Sequence, residues 1–182
     1  MGKSHTMTAN QTAINTLIDQ LHQQGFDEQQ IKTDADSLGF WGKDWTKHFE
    51  PNASAIVFPK STQQVQAIVK LCNELNIVIT PSGGRTGLSA GAVAANGEVV
   101  ISLDKMNKVL GFYPADRMVE VEAGIVTKAL QDYADSQGLY YPVDFASAGS
   151  SQLGGNIGTN AGGIKVIKYG MTRNWILGMT VV

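Results

Sequence analysis

The chain has 182 residues, 14 Lys+Arg against 16 Asp+Glu for a formal net charge of -2, and 43% hydrophobic residues, which suits one globular domain or two small ones and excludes a disordered chain. The near-neutral balance contains no Lys/Arg block, so it offers no electrostatic footprint for nucleic acid, and no apolar run approaches the roughly 18 residues of a membrane span. Cys72 is the single cysteine, which excludes a disulfide framework and a cysteine-based metal cluster and fits a reducing, cytoplasmic setting.

Residues 1–8, MGKSHTMT, lack the apolar core of a secretory signal and read as a leader or disordered start. Ala13, Ile14, Leu17, Ile18 and Leu21 then recur at helical spacing with Gly25 as a stop, predicting an amphipathic helix over 9–24. Residues 32–52 carry no period, and the aromatic run LGFWGKDWTKHFEP reads as a packed loop. Within it, Asp44 and Trp45 suit a helix-flanking turn with a packed indole. Residues 55–58, AIVF, predict a buried strand. Ser61 and Gln64 form an S-x-x-Q capping box ahead of a helix lined by Val65, Ile68, Val69, Cys72 and Leu75, and residues 77–80 predict the next strand. Strand, helix and strand make a βαβ unit with parallel strands. Further strands are expected at 98–103 and 118–124. Glu120 and Glu122 lie on the wet face of the second, and Thr127 caps a helix that ends at Gly138.

Glycine carries most of the functional information. Of 20 glycines, 16 lie at or after Gly83, in clusters rather than at a period. The first cluster, Pro81, Ser82, Gly83, Gly84, Arg85, Thr86, Gly87, Leu88 and Ser89, follows a strand, where glycine lets successive N–H groups face one concavity and hold an anion such as a diphosphate. Thr86 and Ser89 add hydroxyls, and Arg85 adds a positive charge. The second, Gly149 to Gly163, is uncharged and rich in Gly, Ser and Asn. It offers neutral donors and close backbone approach to a large polar ligand. Each stretch alone also fits a plain surface turn or connection. Neither G-x-x-x-x-G-K-[ST] nor G-x-G-x-x-G occurs, which excludes an ordinary P-loop or Rossmann site. From 142 to 163 a long irregular segment is expected, followed by a terminal strand in WILGMTVV.

PSGGRTGLSAGAV, VVISLDKMNKV, VEAG, GSSQLGGNIGTNAGG and KYGMTRNWILGMTVV occur in this order, and together they resemble the FAD-linked oxidases and dehydrogenases with a vanillyl-alcohol-oxidase-type (PCMH-type) FAD-binding domain. DWTKHFEPNASAIVFPKSTQQVQAIVKLCNELNIVITP extends the likeness to residues 30–182, nearest the D-lactate, glycolate and D-2-hydroxyglutarate dehydrogenase branch. The resemblance implies an α+β fold of two α+β subdomains, the second truncated: an N-terminal helix and packed loop at 9–50, a first subdomain at 51–110 and a second at 111–182. It also implies FAD held noncovalently, since the first loop has no His. Pro81 to Ser89 would surround the diphosphate. Pro142, Gly149, Ser150, Gly154, Gly155, Asn156, Thr159, Asn160, Gly162 and Gly163 would follow the ribityl chain and flavin, with Tyr140, Tyr141 and Asp144 near the flavin edge or in core and rim positions. Val181 and Val182 would open a strand leading to the adenine.

The implied parent reaction is oxidation of a small D-2-hydroxy acid. Family members continue through a substrate cap and a His-bearing catalytic region, so this stretch is expected to hold no catalytic residue and no metal ligand, and to be inactive alone. A truncated sheet edge would favour self-association. The alternative is a noncatalytic module that binds FAD weakly or pairs with a partner. A related reductase of cell-wall precursor synthesis fits less well, because its second tract is shorter.

Overall fold

The computed structural model describes residues 3–182. It begins with α1 (Lys3–Gln23), whose start at Lys3 precedes the expected residue 9, so the segment read as a leader enters the helix from its third residue. Residues 1 and 2 lie outside the described residues. Ile14, Leu17 and Leu21 are buried as their spacing predicts. Gly25, at φ 87°, closes the helix: its N–H donates to His22 O and Phe26 N–H to Leu21 O, both within 3.1 Å. That left-handed conformation is open to glycine without strain.

The start of the aromatic run expected as a loop instead belongs to a helix, α2 (Ala35–Trp41), and the rest, from Gly42 on, is irregular as expected. Asp34 caps the helix, its side chain accepting from Ser37 N at 2.9 Å, and this hydrogen bond holds the carboxyl below its usual pKa. Periodicity missed the helix because it spans only seven residues and buries none of them fully. Its cap, rather than an apolar stripe, was the available signal.

β1 (Ile31–Lys32), β2 (Ala55–Val57), β3 (Ile79–Ser82) and β4 (Val99–Ser102) form one sheet in the order β1-β2-β4-β3. The βαβ expectation holds in direction, with one refinement. β2 and β3 are parallel, but β4 runs between them and pairs with both, Val100 facing Ile56 on one side and Thr80 on the other. Every residue of β2 and β4 is buried, as central parallel strands require. The crossover helix α3 (Thr62–Glu74) starts at Ser61, whose side chain accepts from Gln64 N at 3.2 Å. The Gln64 carboxamide reaches one residue beyond the usual box, accepting from Lys60 N at 2.7 Å and from buried Gln30 at 2.9 Å. Ile68, Leu71 and Cys72 are its buried residues, and burial pushes the Cys72 thiol up to about 11, as befits a small apolar core residue.

The chain divides into two compact units, one reaching Ser102 and one spanning Leu103–Val181. The division falls before the 110/111 boundary expected from sequence. Residues 109–113 form β5 (Val109–Tyr113), which pairs antiparallel with β6 (Met118–Val121) in the second unit. α4 (Thr127–Ser136) begins after Val126, so Thr127 is its first residue and not its cap. Ile125, Leu130 and Leu153 form the core of this unit, with Val109, Val119, Val121, Tyr141 and Ile157 packed against them. Two short helices, α5 (Leu153–Gly158) and α6 (Val166–Tyr169), and a 3-10 turn at Thr172–Trp175 follow. The long segment expected to be irregular thus contains a helix.

The expected terminal strand is absent. Residues 176–182 have no ladder partner among the described residues, and an apolar run alone does not make a strand without one. No helix of the described residues is long and apolar enough to cross a membrane.

Candidate functional site

In the first unit, β3 ends at Ser82 and releases the glycine loop. Ser82 is 2% exposed, and its hydroxyl is buried with no hydrogen-bond partner. Leaving a buried donor unpaired costs about 1–3 kcal/mol, so this atom is poised for an acceptor outside the chain. Beyond it, among the described residues, the backbone N–H groups of Gly83, Gly84, Thr86, Gly87, Leu88 and Ser89 find no acceptor within the chain. Uncommitted amides in a glycine-rich loop after a strand are donors of the kind that bind anions.

Arg85 departs from the expected role. Its φ is 57°, and its Nη1 turns back to donate to Gly83 O at 2.9 Å. Its guanidinium lies 4.9 Å from the Phe40 ring centre and 5.8 Å from that of Trp41. The guanidinium is therefore stacked on α2. Leu88 points outward, 77% exposed.

The turn at residues 44–46 braces this loop. Asp44 Oδ1 accepts from Thr46 N at 2.7 Å, the side-chain-to-backbone turn favoured by aspartate. Trp45 N donates to Gly87 O at 3.1 Å, and Ala90 N donates to Thr46 Oγ1 at 2.9 Å. Asp44 Oδ2 is buried without a partner, and a side chain on Gly87 would begin 3.5 Å from it. Trp45 itself is 68% exposed and is not the packed indole expected. The D-x-T spacing was the one signal in the sequence for this arrangement, and it gives no hint of the partner loop forty residues on.

In the second unit, the polar tract is largely committed to itself. Thr127, fully buried, accepts from Asn156 Nδ2 at 2.6 Å, donates to Ser151 O at 3.2 Å and lies 2.8 Å from Ser151 Oγ. Thr159 donates to Gly155 O, and Asn160 accepts from Arg173 N. The side chains of Asn156, Thr159 and Asn160 thus build the segment, while Gly149, Ser150, Gly155, Gly158, Thr159 and Gly162 are its exposed positions. Gly154 packs on Ala123, and a Cβ on Gly163 would lie 1.8 Å from Asp144 O. Close backbone approach at Gly163 is a packing requirement. Gly162 beside it is exposed, and a Cβ there would come within 3.4 Å of Met171 and Val166.

Around Pro142, which is buried, the flanking groups separate. Tyr141 packs into the core with a buried, unpartnered hydroxyl, and burial pushes its pKa up to about 12. Tyr140 is exposed and accepts from Lys165 Nζ at 2.6 Å, which also meets Asp144 at 2.9 Å. These partners, the tyrosine first, raise the Lys165 pKa. Among the described residues no group of three or more His, Cys, Asp or Glu is arranged to hold a metal.

Comparison with known proteins gives a consistent result. A family model described as "FAD binding domain" matches residues 53–182. The chain is 68% identical over 152 residues to a D-2-hydroxyglutarate dehydrogenase of Stutzerimonas stutzeri (strain A1501), covering 84% of this chain and 33% of that protein. It is 44% identical over 147 residues to a D-lactate dehydrogenase of Anaerostipes hadrus, covering 81% and 29%. It therefore spans about a third of the length of these relatives. Among solved structures, an alkyldihydroxyacetonephosphate synthase superposes with a TM-score of 0.78 at 24% identity, covering 86% of this chain and 34% of that one. A p-cresol methylhydroxylase with substrate bound gives 0.59 at 24% identity, covering 80% and 28%. These likenesses establish the mixed α+β, PCMH-type fold. The chain belongs to the FAD-binding domain family, and FAD is its cofactor.

Proposed function

We propose that this chain supplies the FAD-holding part of a flavin-dependent dehydrogenase that oxidises a small D-2-hydroxy acid, the D-2-hydroxyglutarate and D-lactate classes being favoured by the names of its relatives. The observation that carries the reading is the run of uncommitted amides from Gly83 to Ser89 with the unpartnered Ser82 hydroxyl at its entrance. These groups fit a diphosphate: the amides donate to its oxygens, and Ser82 gains the acceptor it lacks. In this reading Pro81 and the glycines shape the cradle, while Pro142, Gly149, Ser150, Gly154, Gly155 and Gly162 offer backbone to the ribityl chain and flavin. Asn156, Thr159, Asn160 and Gly163 hold that backbone in place. FAD, when bound, supplies a two-electron acceptor. The first loop contains no His, which supports noncovalent binding.

The chain spans about a third of its relatives' length, and its three histidines, His5, His22 and His48, all precede the glycine loop. We take it to bind cofactor without turning over substrate by itself, and its lone buried thiol supports a cytoplasmic setting. Titration of the purified chain with FAD, followed by flavin fluorescence and the visible band, tests the reading. Saturable uptake removed by denaturation is expected. No uptake would overturn it, and turnover of D-lactate or D-2-hydroxyglutarate by this chain alone would overturn its inactivity.

A second reading, a module that self-associates, is favoured by one observation. Ile164, Ile167, Leu177, Met179 and Val181 are each at least 65% exposed, in a sequence stretch with the apolar content of an interaction surface. Gel filtration across a concentration series tests it, and a monomer at high concentration would remove it.

A further inference from the structure

The family match begins at residue 53, yet the glycine loop is fastened by residues that precede it. Three attachments converge on residues 85–90, and Asp44 orders the turn that carries two of them. The Arg85 guanidinium stacks on Phe40 and Trp41 of α2. Trp45 N donates to Gly87 O. Ala90 N donates to Thr46 Oγ1. Asp44 sets the turn that presents both groups, through Oδ1 and Thr46 N, and faces Gly87 with its unpartnered Oδ2. The loop needs such help. Arg85 and Ala90 both sit at positive φ, 57° and 60°, a region that costs a side-chain-bearing residue of order 1 kcal/mol or more unless its surroundings hold it there.

We propose that residues 40–46 form a brace that pre-shapes the anion-binding loop, with Thr46 as its principal positioning residue. The inference deepens the FAD reading above and rests on it. Thr46 is the point where a side chain from outside the matched domain replaces a backbone acceptor for the loop, at Ala90, directly after the uncommitted amides. A loop already held in its binding shape loses less freedom when the ligand arrives, so the brace raises affinity without touching FAD. Phe40 contributes through the Arg85 stack. It is 54% exposed, so its removal leaves the core in place.

The test uses the whole chain and three variants, Thr46→Val, Thr46→Ser and Phe40→Ala. Amide hydrogen exchange is measured without FAD, and FAD affinity by fluorescence titration. Thr46→Val keeps the side-chain shape and removes the acceptor. It is expected to speed exchange at Ala90, which loses its acceptor, and at Trp45, whose amide is bonded to Gly87 O, while leaving β2 and β4 unchanged, and to weaken FAD binding about tenfold, the worth of one hydrogen bond. Thr46→Ser restores the acceptor and should stay near wild type in both readouts. Phe40→Ala should shift both in the same direction by a smaller factor. Unchanged exchange at Trp45 in Thr46→Val overturns the brace. So does a loosened loop with unaltered FAD affinity, a serine variant as weak as the valine one, or faster exchange throughout the sheet. A wild-type chain that takes up no FAD overturns the reading beneath. That failure is distinguishable, because the exchange measurement requires no cofactor.

Discussion

The two units solve the same problem by different physics. The first places β2 and β4 in the middle of a sheet with every residue buried, and its stability comes from apolar area removed from water. In the second, β5 and β6 bury no residue completely, and a small apolar cluster around Ile125, Leu130 and Leu153 is supplemented by the Thr127–Ser151–Asn156 hydrogen bonds and by glycines pressed against carbonyl oxygens. The lesson is that a tract rich in Gly, Ser and Asn need not be loose. Here its side chains are spent on holding backbone close to backbone.

The comparison breaks most visibly under a pair of alanine substitutions. Ile56→Ala opens a cavity in the fully buried centre of the first unit's sheet and should cost about 4 kcal/mol. Gly163→Ala places a Cβ 1.8 Å from the Asp144 carbonyl, where backbone must move, and should cost about 3 kcal/mol. Urea unfolding gives the size of each loss, and hydrogen exchange gives its location. Faster exchange confined to β2, β3 and β4 in the first variant and to residues 142–175 in the second is expected. Equal acceleration everywhere in both would mean that the units unfold as one.

Thr127→Val sharpens the polar half of the contrast. The change preserves volume but leaves the Asn156 amide and the Ser151 hydroxyl without their shared partner in a fully buried position. A loss of about 2 kcal/mol is expected from the unpaired donor, read from the denaturation midpoint. A variant as stable as wild type would show that apolar packing alone holds α5 to α4.

Much of this was legible beforehand, and the failures have particular causes. Alternating or continuous apolar runs located β2, β4, α1 and α3, because each buries a stripe or a whole strand and the period follows from that. The periodic method missed α2, which leans on its Asp34 cap and buries no full residue. It missed β5, where Val109, Gly111 and Phe112 are only half-covered and a register shift interrupts the pairing with β6. Thr127 looked like a cap because its residue type favours that position, whereas tertiary contacts drew its hydroxyl to Ser151 and Asn156 instead. At the candidate site the glycine loop was visible from composition, but its brace was not. The contact between Thr46 and Ala90 spans 44 positions, and nothing local in either residue encodes it. Arg85 offers a positive charge by residue type, and its stacking on α2 was not legible because α2 itself carries no apolar stripe.

The smallest effect returns to the crossover helix of the first unit, where the local signal and the structure agree. Ser61→Ala removes the hydroxyl that receives Gln64 N, freeing one amide in the first turn of α3, and should cost about 1 kcal/mol. The figure is modest because Gln64 remains fastened by its own carboxamide to Lys60 N and Gln30, so the turn is held from a second direction. Ser61→Asp should recover the loss, since a carboxylate accepts the same hydrogen bond and meets the positive end of the helix dipole. Both are read from urea midpoints against wild type. An aspartate variant no better than alanine would mean that Gln64 already fixes the helix start and that the serine is dispensable, which would place α3 closer to the second unit's way of using side-chain amides than to the apolar economy of its own sheet.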